Sequence, residues 1–209
     1  MTRALISIAI AYILGGVPTS YIAGRLLRGI DIRQHGSGNV GATNALRVLG
    51  PGIGVPVMLA DIGKGLAAVL LGRLLLADVP HATYWLLAVG VAAILGHIFT
   101  PFLNFKGGKG VATSAGVFAG LTPIPLGIAL GVFIVVVALS RYVSLGSILA
   151  ASALFIAELV RNITGGWTEP HLLAMTLLIA SLIIIKHKAN IQRLMRGNEN
   201  RLSFRRKDS

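Results

Sequence analysis

The sequence predicts an all-α polytopic integral membrane protein with seven transmembrane helices, the fourth of them short, the N-terminus outside and the C-terminus cytoplasmic. Three observations carry this. Charged residues make up only 12% of the 209, and mean hydropathy is +0.79, where a soluble domain carries roughly 25% charged residues. Apolar runs long enough to span a membrane alternate with short polar breaks containing Gly or Pro. Basic residues crowd onto alternate loops.

Crossing a hydrocarbon core of roughly 30 Å takes about 20 helical residues. Spans of suitable length and apolarity lie at 4–27, 53–77, 83–103, 110–121, 123–140, 144–162 and 170–186. The first follows Arg3 and lacks a small-residue cleavage site, so it is retained as a helix and runs through Gly15, Gly16 and Pro18 to Leu27. The fourth is too short for a simple span. It contains GVFAG (Gly116–Gly120), and the fifth contains GIALG (Gly127–Gly131). Both offer small-xxx-small faces for close helix packing.

With seven spans, the inner loops are 28–52, 104–109, 141–143 and 187–209. They hold Arg28, Arg33, Arg47, Lys106, Lys109, Arg141 and the C-terminal basic residues from Lys188 to Lys207, whereas the outer loops hold only Arg3. Leaving 104–122 as one cytoplasmic loop puts the basic C-terminus outside, in conflict with the positive-inside rule, unless another span is also merged. The chain reads as one transmembrane domain, 1–199, with a basic cytoplasmic tail, 200–209, whose Arg205–Lys207 suit anionic headgroups.

The net charge of +12 fits loop topology and attraction to anionic membrane lipids. No aromatic-interleaved basic module points to nucleic acid. The absence of cysteine excludes disulfides, thiolate metal sites and a cysteine nucleophile, and no histidine pair has metal-binding spacing. No cofactor is implied.

Charges inside spans are costly and usually face protein. Asp61 and Lys64 are three apart in the second span and share a helix face. They read either as a structural ion pair or as support for a site on the cytoplasmic side. Glu158 and Arg161, near the outer end of the sixth span, read as a structural pair.

Three polar stretches fall on the predicted cytoplasmic face. The first is GSGNVGATNALR, residues 36–47. Its glycines free the backbone, Ser37, Asn39, Thr43 and Asn44 can hydrogen-bond, and Arg47 can clamp a phosphate or carboxylate. Alone it is also ordinary turn chemistry. The second is GHIFTPFLNFKGGKGVATS, Gly96–Ser114. Lys106, Gly107, Gly108, Lys109 and Gly110 precede a helix start, where glycine-rich backbone and free N–H groups suit an anion. The spacing is not that of a Walker A loop. Thr113 follows in the same helix start, and His97 reads equally as a ligand or as a packed core histidine. The third, KHKANIQRLMRGNENR from Lys186 to Arg201, offers His187, Asn190, Arg193 and Glu199. His187 and Asn190 share a helix face, and His187 has the pKa range of a general base. The stretch equally suits an interfacial basic helix. A short RYVS, Arg141–Ser144, adds Ser144.

Taken together, these stretches resemble the three signature motifs of the bacterial acyl-phosphate:glycerol-3-phosphate acyltransferase family, in order. PTSYIAG (Pro18–Gly24), DIGKG (Asp61–Gly65) and RYVS are similar to the family too, and the resemblance extends to about Glu199. It implies transfer of a fatty acyl group from acyl phosphate to the 1-hydroxyl of glycerol 3-phosphate, giving lysophosphatidate and phosphate. This would be the first acylation of phospholipid synthesis, at the bacterial inner membrane. By resemblance, Lys106–Gly110 grip the donor phosphate, and Ser37, Asn39, Thr43, Asn44 and Arg47 bind phosphate and line the reacting centre. His187 and Asn190, with Arg193 and Glu199 beside them, orient the glycerol hydroxyl. The proton goes to His187 or to a substrate phosphate, or Ser37 forms an acyl-enzyme. The competing class is a transporter for an organic phosphate, against which stand the absence of a visible repeat and the gathering of polar groups at one face.

Overall fold

A computed structural model describes residues 1–202; the tail residues Arg205–Lys207 lie outside the described part. Among the described residues there are helices and turns but no strands. Ten α-helices follow one another: α1 (Thr2–Gly16), α2 (Thr19–Arg28), α3 (Ala42–Leu49), α4 (Pro51–Leu76), α5 (Ala82–Ile98), α6 (Val111–Leu121), α7 (Pro123–Ser140), α8 (Val143–Thr164), α9 (Pro170–Lys186) and α10 (Lys188–Met195). Five stretches are long and apolar enough to cross a membrane: Thr2–Arg28, Pro51–Leu76, Ala82–Leu103, Pro123–Ser140 and Val143–Thr164. A sixth is α9 with α10, if that pair, bent by 58°, counts as one. The protein is thus a multi-pass membrane protein. Val111–Leu121, where the sequence suggests a short fourth span, is an apolar helix of 11 residues, shorter than the stretches long enough to cross.

The boundaries follow local chemistry. Pro51, Pro123 and Pro170 each open a helix at a position where the missing N–H costs nothing. The first span departs from the continuous helix expected. Pro18 has no N–H and its ring obstructs the preceding turn, so the helix stops at Gly16 and restarts at Thr19.

The chain divides into two compact units, residues 1–121 and 122–202. In the first unit, glycines permit backbone contact between helices. A Cβ on Gly15 would strike the Ala93 carbonyl oxygen, and one on Gly96 would strike that of Tyr12, so α1 and α5 meet closely. A Cβ on Gly65 would strike the Thr113 carbonyl oxygen, and one on Gly116 that of Ile62, which joins α4 to α6. Such approaches supply the packing that lipid, as apolar as the helices, does not drive. GVFAG therefore behaves as expected. GIALG does not: nothing lies within 4 Å of a Cβ on Gly127 or Gly131. That face of α7 points outward in its unit, and Gly146 of α8 instead packs on Phe133 and Val137.

Between α2 and α3, residues 29–41 form a loop pinned from below. Ser20 donates its hydroxyl to the Val40 carbonyl. Ile32, Val40, Ala45 and Leu49 pack with Val57 of α4 and Leu103 of the segment after α5. At its start Asp31 receives Arg33 through its backbone N–H at 3.0 Å and its guanidinium at 2.7 Å, and Arg25 at 3.2 Å. Both guanidiniums also lie over the Tyr21 ring, at 5.5 and 5.0 Å from its centroid. The hydrogen bond from Arg33 holds the Asp31 carboxyl at about 2, well below its ordinary 3.8.

In the second unit, α8 packs against both α7 and α9, and α10 rests on α8 and α9. Glu158, fully buried on α8, accepts from Arg161 at 2.6 Å, Thr122 at 3.0 Å and Asn162 at 3.2 Å. This is the structural pair expected, extended into a network.

Two outcomes test this packing. Gly116→Val should destabilise the purified protein by about 1–3 kcal/mol, seen as a lower unfolding temperature in detergent, while Gly131→Val leaves it unchanged; equal effects would contradict the packing difference. Because the folded carboxyl of Asp31 is depressed, its contribution is complete above its ordinary value near 3.8 and is lost as pH falls through about 2. The stability gap between wild type and Asp31→Asn should therefore be constant from pH 7 to about 5 and close as the pH falls from about 4 toward 2. Unfolding midpoints across that range measure it.

Candidate active site

The polar stretches are positioned differently in the two units. In the first unit, the break between α1 and α2 frees the carbonyls of Gly16 and Val17, and within a membrane such groups must find donors. Thr100 donates its hydroxyl to the Gly16 oxygen at 2.5 Å, and the Lys64 ammonium donates to the Val17 oxygen at 2.9 Å. Lys64 is paired with Asp61 at 2.8 Å, and Thr19, the first residue after the break, donates to the same carboxylate oxygen at 2.7 Å. His97 Nδ1 lies 3.6 Å from that oxygen. The pair of α4 therefore fastens the broken first span to the end of α5.

The Lys106–Gly110 loop folds back on that end of α5. Gly107 and Gly108 donate their N–H groups to the carbonyls of Ile98 and His97, at 3.0 and 3.1 Å. A Cβ on Gly107 would strike the His97 oxygen, and one on Gly108 the His97 Nε2. These two glycines are thus required by close approach, and their N–H groups serve the loop's own fold. The two N–H groups expected in an anion nest are thus already bonded within the loop. Gly110, with φ of +86°, makes the turn into α6. Lys106 is exposed, and Lys109 is half-buried. Thr113 is buried, and its hydroxyl, like that of Ser114, has no hydrogen-bond partner among the described residues.

In the 36–47 stretch, Gly36 and Gly38 take φ of +62° and +71°, and a Cβ on Gly36 would meet the Asn44 side chain. Asn44 is buried. Its amide donates to the carbonyls of His35 and Ile32 at 3.0 and 3.3 Å and accepts from the Ser37 N–H at 2.8 Å. Both its hydrogens therefore hold the loop. Asn39 accepts from the Gly41 N–H at 2.9 Å, closing the turn into α3. Ser37 is exposed and Thr43 half-exposed, and Arg47, exposed on α3, makes no ion pair among the described residues.

In the second unit Glu199 is a hub. Its carboxylate accepts from Asn190 at 2.6 Å and Ser144 at 2.9 Å on one oxygen, and from Arg193 at 2.6 Å on the other. Burial alone would raise its pKa; the hydrogen bonds from Asn190, Arg193 and Ser144 outweigh that and hold it below its ordinary range. Four residues singled out in the sequence are thereby brought together. His187 sits at the bend between α9 and α10, buried, with Nδ1 2.8 Å from the Ile183 carbonyl. A carbonyl only accepts, so Nδ1 carries the hydrogen and Nε2 is the acceptor nitrogen of the neutral ring.

Several organising residues carried no signal in the sequence reading. Arg201 donates to the Tyr142 hydroxyl at 3.2 Å and lies over its ring, and the Leu202 N–H bonds the Arg141 carbonyl at 2.7 Å. Asp31 was readable only as a lone acid among Arg25, Arg28 and Arg33. Thr19 and Thr100 gain their roles from the helix break.

A family model described as glycerol-3-phosphate acyltransferase matches residues 5–197. The glycerol-3-phosphate acyltransferase of Geobacter sulfurreducens is 50% identical, with 96% of this chain and 98% of that protein covered. That of Desulforudis audaxviator is 47% identical, with 97% of each covered. Two crystal structures of PlsY (YgiH), an integral membrane glycerol 3-phosphate acyltransferase, superpose with 96% of each chain covered. The lysophosphatidic acid form gives a TM-score of 0.82 at 36% identity, and the glycerol 3-phosphate form 0.83 at 38%. With a family match over residues 5–197 and relatives 47–50% identical over nearly the whole chain, the chain belongs to the glycerol-3-phosphate acyltransferase family.

Proposed function

We propose that this protein transfers a fatty acyl group from acyl phosphate to the 1-hydroxyl of glycerol 3-phosphate, yielding 1-acylglycerol 3-phosphate (lysophosphatidate) and inorganic phosphate. This reading makes it the first acylation step of phospholipid synthesis. The observation that carries it is the near-full-length likeness to a PlsY structure in its glycerol 3-phosphate form. The proposal includes seven membrane helices with α6 as the short one, an outer N-terminus, one domain over residues 1–199 with a basic tail, and an inner-membrane location with its chemistry on the cytoplasmic face, as the positive-inside rule favours.

The reaction needs little beyond placement. Acyl phosphate is a mixed anhydride, so its phosphate is already a good leaving group. The glycerol oxygen attacks the acyl carbon, a new C–O bond forms, the bond from that carbon to the phosphate oxygen breaks, and the phosphate leaves with its charge. The enzyme must hold two repelling anions and accept one proton. We assign the proton to His187 Nε2, the acceptor that the Ile183 carbonyl selects. Asn190, Ser144 and Arg193, fixed by Glu199, orient the hydroxyl. Lys106, Lys109 and the first N–H groups of α6 attract phosphate, as does Arg47. Asn44 and Asn39 act by shaping the loop that presents Ser37. No base is hydrogen-bonded to the Ser37 hydroxyl among the described residues, and this supports direct attack over an acyl-enzyme.

Purified protein in detergent, given acyl phosphate and glycerol 3-phosphate, should form lysophosphatidate with no membrane gradient and with no turnover of acyl-CoA or acyl carrier protein. Gradient-dependent phosphate uptake into vesicles without acyl product would instead identify a transporter. His187→Ala should lower kcat by about 10²–10⁴-fold, the range for loss of a general base. Arg47→Ala should lower kcat/KM by about 10–100-fold, corresponding to the roughly 1.5–3 kcal/mol of a charge-assisted contact. Initial rates over both substrates measure each, and near-normal turnover in His187→Ala would move the proton to a substrate phosphate.

A further inference from the structure

The Asp61 cluster lies outside the three polar stretches, yet it touches one of them. Neutralising Lys64 would need only the 2.8 Å pair between them. The same oxygen of Asp61 also accepts from Thr19 and faces Nδ1 of His97. The imidazole stands between this carboxylate and the Lys106–Gly110 loop. Nδ1 points to Asp61, while Nε2 is packed so closely on Gly108 that a Cβ there would collide with it. The main chain of the same histidine, with that of Ile98, takes the N–H groups of Gly108 and Gly107. The contacts that seat the two central glycines therefore run through His97 and its neighbour Ile98. A side chain of ordinary size would cushion the loop from the ring; glycine passes any rotation of the imidazole directly into the loop backbone, because packed interiors transmit such strain.

A second observation points the same way. Asp61 Oδ2, Thr113 Oγ1 and Ser114 Oγ are buried without hydrogen-bond partners among the described residues. Two of these belong to the first turns of α6, directly after the loop, and the third belongs to the carboxylate in question. Buried polar atoms left unsatisfied cost stability and are retained where function uses them.

We propose that Asp61 is a positioning residue for phosphate recognition: through the His97 ring it fixes where the Lys106–Gly110 loop and the start of α6 sit, and so sets substrate affinity. At 3.6 Å the carboxylate acts on Nδ1 by charge rather than through a hydrogen bond, favouring the hydrogen on that nitrogen and biasing the ring toward Asp61. This rests on the reading of that loop as the one that binds a substrate phosphate.

The test separates this role from plain structural pairing. In Asp61→Asn/Lys64→Met both charges are removed together, so no unpaired charge stays buried, and the asparagine can still accept from Thr19. The double variant should unfold below the wild-type temperature, because Lys64→Met also removes the donor to the Val17 carbonyl, so KM is read on the protein that remains folded. Its KM for acyl phosphate or for glycerol 3-phosphate should rise about 10–100-fold, the scale of a misplaced binding group, with kcat within about threefold. A purely structural defect would reduce the amount of active protein, and hence Vmax, at unchanged KM. Wild-type KM values for both substrates would overturn the proposal. His97→Gln, made on native Asp61, should raise the same KM, and unchanged KM values there would overturn it even if the double variant failed to accumulate. Adding His97→Gln to the double variant should bring little further increase; full additivity would show that Asp61 does not act through His97. A wild-type protein with no acyl transfer at all would defeat the functional reading instead, and that is seen before any variant is made.

Discussion

The pairing of Lys64 with Asp61 across the break in the first span is the interaction on which the first unit depends. A proline in a membrane helix leaves carbonyls that lipid cannot satisfy. Here the Val17 oxygen takes the Lys64 ammonium and the Gly16 oxygen takes the Thr100 hydroxyl. The ammonium in turn is held by Asp61, which also caps Thr19. With the break satisfied, the chain restarts as α2 within the same membrane-length stretch. Its Ser20 then fastens Val40, its Tyr21 carries Arg25 and Arg33 around Asp31, and the loop that presents Ser37 has a floor of Ile32, Val40, Ala45 and Val57. A polar group in the span thus governs the placement of a loop far along the chain.

The glycines divide by purpose. Gly36, Gly38 and Gly110 take positive φ and make turns, whereas Gly107 and Gly108 make room for His97. A motif that looks like a cradle for an anion is, at its two central residues, a seat for a histidine. The charges beside it, Lys106 and Lys109, and the N–H groups that follow at α6 remain the parts suited to phosphate. The second unit solves its positioning problem with a carboxylate: Glu199 accepts from three side chains on α8 and α10, and the segment after it is held by Tyr142 and Arg141.

The helices were legible because span length and apolar run coincide: the sequence boundaries at 123–140 and 170–186 are those of α7 and α9. The Glu158–Arg161 pair and the close face of GVFAG were legible for the same local reason, being set by spacing on one helix. What escaped was set by partners far along the chain. Pro18 alone does not reveal whether a helix bends or stops; that is decided by Lys64 and Thr100. GIALG has the same spacing as GVFAG, but a small face packs only if another helix meets it, and none in its unit does. Asn44 and Glu199 were identified as site residues by type and motif. That Asn44 spends its amide on loop carbonyls, and that Glu199 gathers Ser144, Asn190 and Arg193, required the geometry.

The account's central claim is that these loops hold substrate phosphate. A structure of the purified protein with glycerol 3-phosphate and a non-hydrolysable acyl phosphate analogue tests it most directly. The account predicts phosphate oxygens within hydrogen-bond distance of Arg47, of Lys106 or Lys109 and of the first N–H groups of α6. Phosphates bound away from all of these groups, for instance beside Arg161 at the Glu158 network, would contradict it.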